Sequence, residues 1–544
     1  MENYLSDLEK GIAFPDNIAS DIMVDRVSDR IGYIIHNLSC VLAVVMSFLL
    51  GFEYDKVWNK VKLKIDDKDI LRISVFVVLF FLLPAIVIFI MLSVIYKNLC
   101  SMIIKGKDEH FVSFLESFDV FWSLDNANKN IIEVLGFIEA ESPDALILNI
   151  RERLNHLVGN AAVEKVFYRR LEQFGFYYWH RPDTVDVTQY VKILKISNTT
   201  GLSKSDLETI MTQLSEDDLP YDGEGLFEIL VTDIQITEES FLNNYAIMFR
   251  IHHSLGDGIA LIEFFCNILD DESDINLFKP PEVCNLIQEN LAKDLVDLLS
   301  KLKEIIMCAV DGVIRKPDLN SLHGPKLEGK KHFRWIDTNY NLLDMIKEIK
   351  ETQSGLNFTD ILATALSTGL RDYFSQTMLY VPDNVGVIIP IRLSESDRIL
   401  KNNFTVTILP LPLTGDLNMI NQSSNTVHKS LDPLANHYLL KLCSIFPKCI
   451  LEPVVNSNQA TMIFSNIPGP KSLRICGCAM QSMVFFVPNK GTTGVGVTAL
   501  DYGGVLRFAI MADSALLSNP EDLSIIINGM VQKIGSLYKD YAKT

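Results

Sequence analysis

The sequence lacks an excess of positive charge. Its 544 residues contain 49 Lys and Arg against 68 Asp and Glu, which gives a formal net charge of −19 at pH 7. No basic tract interleaved with aromatic residues occurs, so the usual electrostatic footprint of a nucleic-acid-binding protein is absent. We therefore expect no nucleic-acid partner.

Cysteine is also sparse. Nine cysteines are scattered singly, apart from Cys476 and Cys478, and this pattern predicts free thiols in a reducing compartment. No His or Cys residues have zinc-ligand spacing, so we expect no bound metal. There is no Gly-x-Ser-x-Gly elbow, and the segment GTTGVG at 491–496 has neither that serine nor the lysine of a phosphate-binding loop.

The amino-terminal segment, residues 1–30, is polar and acidic, and we predict no cleaved signal peptide there. Two long apolar runs follow, at 31–52 and 73–95, and each is long enough to cross a bilayer. We predict that residues 31–96 contain two membrane helices, with Pro84 kinking the second. Their orientation stays open: the lysine-rich connection favours a cytosolic loop, whereas free thiols favour a cytosolic body.

The remaining chain is apolar enough for more than one domain, and we divide it into two mixed α/β halves, 97–310 and 331–544, joined by a linker at 311–330. Helical spacing of apolar residues predicts helices near 144–157, 164–173, 358–374, 435–446 and 520–537. Extended patterns predict strands near 190–195, 226–232, 245–251, 385–391, 404–410, 460–464, 481–487, 493–500 and 505–511.

One segment carries the clearest chemical signal, RIHHSLGDGIALIEFFCN at 250–267. A strand pattern precedes its two histidines, and a helix pattern follows Asp257, which stands at the expected N-cap. Neighbouring residues of an extended chain point to opposite sides, so one histidine faces a cleft and the other braces the loop. A neutral imidazole is a suitable general base. Gly258 permits a close approach that a side chain would block.

Several segments in a fixed order resemble one known family. The motif His252-His253-x-x-x-Asp257-Gly258 resembles the catalytic motif of the CoA-dependent acyltransferase superfamily. The chain from about Phe114 onward is similar to the wax ester synthase/diacylglycerol acyltransferase family. The other matching segments are FDVFWSLDNANKN at 118–130, FYRRL at 167–171, DVTQYV at 186–191, LSTGLRDYF at 366–374, PIRL at 390–393, NNFTVTILPLPL at 402–413, FSNIPGP at 464–470 and DYGGVLRFAIMAD at 501–513.

The resemblance implies two similar α/β halves, like those of chloramphenicol acetyltransferase, with a tunnel between them. It implies that His253 is the general base for a fatty alcohol or diacylglycerol hydroxyl, which attacks long-chain acyl-CoA directly, without a cofactor. His252 and Asp257 would maintain the loop, with Arg392 as a structural partner of Asp257. We expect an oxyanion donor among Ser465, Asn466 and Asn403.

Alternative functions stay open at this point. The family's Pro-Leu-Trp segment reads Gly225-Leu226-Phe227 here, and its Asn-Asp pair reads Thr359-Asp360. These departures motivate a second hypothesis, a non-catalytic acyl-CoA- or lipid-binding membrane protein. A third is an acyltransferase with another acceptor, such as a sterol. For the leading hypothesis we expect an endoplasmic reticulum or plasma membrane location with a cytosolic catalytic body.

Overall fold

The chain divides into two units, Met1–Ile88 and Phe89–Thr544. The computed structural model describes residues 67–124, 129–160, 163–197, 200–237, 244–268, 308, 311, 315–336, 341–353, 355–377, 379–392, 400–455, 459–517 and 519–541. In the first unit this leaves only the beginning of one long helix, α1 (Asp67–Lys107). The sheets and the other helices lie in the second unit.

In its described residues, the first half of the second unit contains seven strands and four further helices. They are β1 (Phe111–Phe114), α2 (Ser117–Ser123), β2 (Ile131–Glu139), α3 (Pro143–Leu157), β3 (Arg169–Gln173), β4 (Phe176–His180), β5 (Val191–Leu194), α4 (Lys204–Leu214), β6 (Phe227–Gln235), β7 (Asn244–His252) and α5 (Gly258–Ile268).

The second half contains eight strands and six helices in the described residues. They are β8 (Lys331–Ile336), α6 (Leu342–Thr352), α7 (Phe358–Gln376), β9 (Asn384–Arg392), β10 (Phe404–Pro412), α8 (Leu417–Lys429), α9 (Asp432–Cys443), α10 (Lys448–Val455), β11 (Met462–Pro468), β12 (Arg474–Ile475), β13 (Cys478–Phe486), β14 (Val495–Tyr502), β15 (Val505–Asp513) and α11 (Leu523–Tyr541).

Two six-stranded mixed sheets form the centre of the fold. The first has the order β12-β13-β2-β7-β6-β5, and the second has the order β10-β9-β11-β14-β15-β8. The first sheet thus takes two strands from the second half of the chain, because β13 pairs antiparallel with β2. A shared apolar cluster joins the sheets, with Leu135 and Met248 from the first and Phe333 and Met511 from the second.

One helix predicted from the sequence is wrong. Residues 164–173 have helical spacing, but they form a 3-10 turn (Glu164–Phe167) followed by strand β3. The following Phe174 and Gly175 both have positive φ, 56° and 79°, and turn the chain into β4. Pairing of β3 with β4 therefore outweighs the helical preference of the local sequence.

The prediction of two membrane helices is not confirmed. The run 31–52 lies outside the described residues. The run 73–95 falls within α1, whose segment Pro84–Lys107 is the one helical stretch in the described part of the chain long and apolar enough to cross a membrane. Its mean hydropathy is 2.1, and 11% of the apolar window is buried. The apolar stretch thus extends further toward the carboxyl terminus than we predicted.

Candidate active site

The histidine motif lies where central strand β7 meets helix α5. All nine residues of β7 are buried, and the strand pairs with β2 on one side and β6 on the other. The main-chain N–H of His252 donates to Leu226 at 2.8 Å, and that of His253 donates to Asn130 at 2.9 Å. The strand-to-helix junction predicted from the sequence is confirmed, and both histidines are held by main-chain bonds on each side.

The His252 ring is bonded at both nitrogens. Its Nε2 lies 2.5 Å from Arg170 Nη1, and its Nδ1 lies 2.7 Å from Ser254 Oγ. A guanidinium only donates, so Nε2 accepts. The main-chain N–H of Ser254 also donates to Nδ1 at 3.1 Å, so both ring nitrogens are engaged. Burial lowers the pKa of His252 well below its ordinary value, and the charge of Arg170 lowers it further. This ring is a neutral bracing group.

The His253 ring is held by Asn402 from the other half of the chain. Nδ1 of His253 lies 3.1 Å from Asn402 Oδ1. The amide nitrogen of Asn402 donates to the main-chain oxygen of His253 and to Asp119 Oδ1, both at 2.8 Å. Those two acceptors fix the orientation of the amide, so Nδ1 of His253 must be the donor to Oδ1. The arrangement leaves the lone pair on Nε2 of His253.

An aromatic wall covers one face of the same ring. Trp122 stacks on His253 with ring centroids 4.1 Å apart and an interplanar angle of 11°, and Phe404 lies at 5.8 Å. Burial lowers the pKa of His253 to about 4, although Asn402 and the His253 main chain oppose this shift. The imidazole is therefore neutral at physiological pH and able to accept a proton.

A partly buried ion pair supports Asn402. Asp119 Oδ2 lies 3.3 Å from Lys165 Nζ, and the same ammonium donates to the carbonyls of Leu255 and Leu400, each at 3.0 Å. Burial raises the pKa of Asp119, while Lys165 and Asn402 oppose the rise. Lys165 contacts Asp119, Asp119 contacts Asn402, and Asn402 contacts the His253 ring. These contacts therefore connect the main chain at Leu255 and Leu400 to the His253 ring.

Asp257 joins the motif to the second half. Its Oδ1 accepts from the N–H of Ala260 at 3.0 Å, which confirms the predicted helix cap. Its Oδ2 accepts from the main-chain N–H of Asn403 at 2.7 Å. Burial raises the pKa of Asp257, and these N–H groups and the charge of Arg392 oppose the rise. The positive charge of Arg392 thus favours the ionised form of the Asp257 carboxylate.

Gly258 is required by a close approach of another element. A Cβ at this position would lie 2.4 Å from Cδ1 of Ile467 on β11. Ser465 and Asn466 precede Ile467 on that strand, so β11 reaches the start of α5. Their role as oxyanion donors stays a prediction. The main-chain N–H of Asn403 donates to Asp257, and the neighbouring Asn402 contacts His253.

Five residues of this site were not assigned a role from the sequence. Four of them lie in segments that we had matched to the family: Asp119, Trp122, Arg170 and Asn402. The fifth, Lys165, lies two positions before one of those segments. The motif resemblance marked where these residues are, but their contacts span up to 283 positions of the chain and are visible only in the fold.

An apolar cavity lies beside the motif helix, with about 490 Å³ of empty space that is partly open to solvent. Its lining includes Gly258 but not His253, and every lining residue is apolar. They are Ile132, Val134, Gly258, Leu261, Ile262, Ile467, Pro470, Leu473, Met483, Phe485 and Leu500. A space of this size and composition fits an aliphatic chain.

The described residues contain free thiols and no metal-binding cluster. No group of three or more His, Cys, Asp or Glu side chains there is placed to hold a metal ion. Six described cysteines are free thiols: Cys100, Cys308, Cys443, Cys449, Cys476 and Cys478.

Two solved structures share this fold. The wax ester synthase/diacylglycerol acyltransferase from Marinobacter aquaeolei VT8 matches with a TM-score of 0.53 and 15% identity, over 78% of this chain and 99% of that one. The first condensation domain of the CDA synthetase matches with a TM-score of 0.52 and 14% identity, over 79% and 97%. At such identities the likeness establishes the two-half α/β architecture alone.

Sequence comparison points to one family. The profile of the WS/DGAT C-terminal domain matches residues 400–533, which include Asn402 and the strand β11. A curated relative from Mycobacterium tuberculosis, provisionally named a diacylglycerol O-acyltransferase, is 23% identical over 304 residues. That match spans 50% of this chain and 60% of the relative. Residues 400–533 thus match the wax ester synthase/diacylglycerol acyltransferase C-terminal domain, and the curated relative supports the same family over half of the chain.

Proposed function

We propose that this protein is an O-acyltransferase that moves a long-chain acyl group from acyl-CoA to a fatty alcohol or diacylglycerol. The observation that carries the proposal is the state of His253: a buried, neutral imidazole whose Nδ1 proton is held by Asn402. Within the described residues, this leaves Nε2 as the ring nitrogen for an acceptor hydroxyl. The likeness to this family supports the reaction class.

The proposed chemistry needs one base and one oxyanion donor. Nε2 of His253 takes the hydroxyl proton while the acceptor oxygen attacks the thioester carbonyl. The tetrahedral intermediate then expels the CoA thiolate, which receives the proton from the imidazolium, and the ester is released. Low polarity around His253 favours its return to the neutral form. Ser465 and Asn466 are our candidates for the oxyanion donor.

The apolar cavity supports a long aliphatic substrate. Its lining comes from β2, β13, α5, β11 and β14, so both halves of the chain enclose it. A short acyl group would leave most of this apolar surface unfilled, whereas a long chain removes it from water. We assign the cavity to one of the two lipid chains of the reaction.

Membrane attachment is part of the proposal. The apolar segment Pro84–Lys107 and the largely exposed side chains within it support a protein that works at a bilayer. Such attachment would give the enzyme access to water-insoluble acceptors. We place the catalytic body on the cytosolic side, where acyl-CoA is available to it.

Expression in a host without neutral-lipid synthesis should yield wax ester when fatty alcohol is supplied, and triacylglycerol from endogenous diacylglycerol. The measurement is lipid extraction followed by thin-layer separation and mass spectrometry. The control is the same host carrying the His253→Ala variant at equal protein level. Acyl-CoA binding by purified protein without any ester product would instead support the non-catalytic lipid-binding function.

The pH dependence of ester formation should have an acid limb far below that of a solvent-exposed histidine. With the pKa of His253 at about 4, kcat/KM should stay level from pH 8 to about pH 5 and fall with a midpoint near 4. Because Asn402 raises that pKa, Asn402→Ala should move the midpoint lower still and reduce kcat by about ten-fold. A midpoint near 6.5 in the wild-type protein would contradict the assignment.

The lowered pKa of His253 also makes the stability of the fold depend on pH. The pH experiment therefore needs a folding control. Unfolding returns the pKa of His253 to its ordinary value of 6.5, so the unfolded chain binds the extra proton between pH 6.5 and 4. The contribution of this group to stability is therefore complete above pH 6.5 and declines as the pH falls toward 4. Circular dichroism at each pH separates this loss of structure from titration of the base.

A further inference from the structure

Two neighbouring helices expose a large apolar surface to solvent. We define the α1–α9 surface by Leu92, Ile95, Leu99 and Met102 of α1 and by Leu439 and Leu442 of α9. Their exposed fractions are 58%, 52%, 53% and 72% on α1, and 42% and 38% on α9. Apolar patches of this kind on a protein mark a surface that is covered by a partner or a membrane.

The two helices are joined through the segment that follows α9. Phe89 stacks on Phe446 with ring centroids 5.5 Å apart, and Lys97 Nζ donates to the main-chain oxygen of Ser444 at 2.7 Å. On its other side α1 buries Cys100 and Ile104 against the three-stranded sheet β1-β4-β3. The apolar side chains of the α1–α9 surface are therefore displayed by a helix that already has a protein-facing side.

The inner face of α9 leads directly to the candidate base. Leu440 is buried in a cluster with Phe118, Trp122 and Phe404. Trp122 in turn stacks on the His253 ring. Helix α9 and one aromatic layer therefore lie between the exposed side chains of Leu439 and Leu442 and the His253 ring.

We propose that the α1–α9 surface is seated in the headgroup and outer acyl region of a lipid bilayer, and that acceptor lipid reaches His253 past α9. This inference rests on the proposed function for the identity of the acceptor. A helix that buries Cys100 and Ile104 against protein cannot have lipid on all sides, so this part of α1 lies along the body at the membrane.

Charge at the edge of the surface favours a bilayer over a second copy of this chain. Lys441 is exposed on α9 between its two surface leucines, and Lys105 and Lys107 in the last turn of α1 lie over the rings of Phe111 and Phe174, each at 5.8 Å. A lysine at the position of Lys441 extends its ammonium group to lipid phosphates while its stem lies over apolar surface. The whole chain carries a net charge of −19, so these cations are local. A self-interface would bring the same cations together.

Quenching by brominated lipids tests the position of α9 without requiring activity. The full-length Leu439→Trp variant is mixed with vesicles of phosphatidylcholine and phosphatidylserine that carry dibrominated acyl chains. The fluorescence of the introduced tryptophan is obtained by subtracting the signal of the wild-type protein. It should fall by more than half. The matched control is Leu148→Trp, whose position on α3 is 56% exposed, and its added fluorescence should fall by less than a tenth. Equal quenching at both positions, or none at Leu439→Trp, would overturn the proposal.

An activity comparison tests the acceptor route. The double variant Leu439→Asp/Leu442→Asp should lose at least ten-fold in turnover with diacylglycerol in vesicles and less than two-fold with a water-soluble short-chain alcohol. Equal losses with both acceptors would refute the route past α9, and circular dichroism checks that the variant folds. Absence of turnover with every acceptor in the wild-type protein would refute the proposed function, while the quenching result would still decide the membrane contact.

Discussion

Replacing His253 by alanine is expected to lower kcat for ester formation by about 10²- to 10⁴-fold, the usual contribution of a positioned general base. The ring is buried, its Nδ1 is fixed by Asn402, and Trp122 holds its plane. The neighbouring His252 does not offer the same arrangement, because both of its ring nitrogens are engaged by Arg170 and Ser254. Release of CoA from a long-chain acyl-CoA in the presence of fatty alcohol measures the effect.

Two controls separate chemistry from folding in that experiment. His156→Ala changes an exposed histidine on α3 and should leave kcat unchanged. Binding of acyl-CoA to the His253→Ala variant, measured by calorimetry, should remain within a few-fold of the wild-type value, since the apolar cavity does not include His253. Wild-type turnover in the His253→Ala variant would eliminate the mechanism.

The second large effect concerns the stability of the strand that carries the histidines. Arg250 on β7 is 1% exposed and forms a buried ion pair with Glu228. Its Nη2 also donates to the carbonyls of Leu214 and Asp217, at 2.6 and 2.7 Å. Arg250→Leu would leave Glu228 and both carbonyls without this partner. We expect the free energy of unfolding to fall by about 3–5 kcal/mol, as measured by chemical denaturation.

An exposed arginine provides the matched control for that loss. Arg181 pairs with Glu164 at 3.4 Å, but its side chain is 57% exposed. Arg181→Leu should change the free energy of unfolding by less than about 1 kcal/mol, because water screens such pairs. If Arg250→Leu also costs less than about 1 kcal/mol, the ion pair does not hold β7 in place. The addition of Glu228→Gln should restore part of the stability lost in Arg250→Leu, since it removes the unpaired carboxylate.

Several elements were predictable because their signals are local. The nine residues of β7 are almost continuously apolar, and Asp257 stands three residues before the N–H that it caps. Helix α7 was predicted from the spacing of Leu362, Leu366 and Leu370, and all three are buried in the core. In each case the residues that determine the structure lie within a few positions of one another.

Other features were beyond such reasoning because they depend on pairing across the chain. Strand β13 was predicted as a strand of the second half, but it completes the sheet of the first half through its pairing with β2. The segment 164–173 has a helical pattern, yet it pairs as β3 once the chain turns at Phe174 and Gly175. The free-energy difference between the helical and extended conformations of such a segment is smaller than the stabilisation that a buried, paired strand provides.

The sequence by itself determined the family resemblance, the strand-to-helix position of the two histidines and the cap formed by Asp257, because these follow from ordered motifs and short-range spacing. Only the tertiary structure decided which ring is fixed by Asn402 and which by Arg170. It also revealed the ion pair of Asp119 and Lys165 and the apolar cavity beside Gly258. These contacts join side chains 46, 82 and 149 positions apart, which come together only when the chain folds.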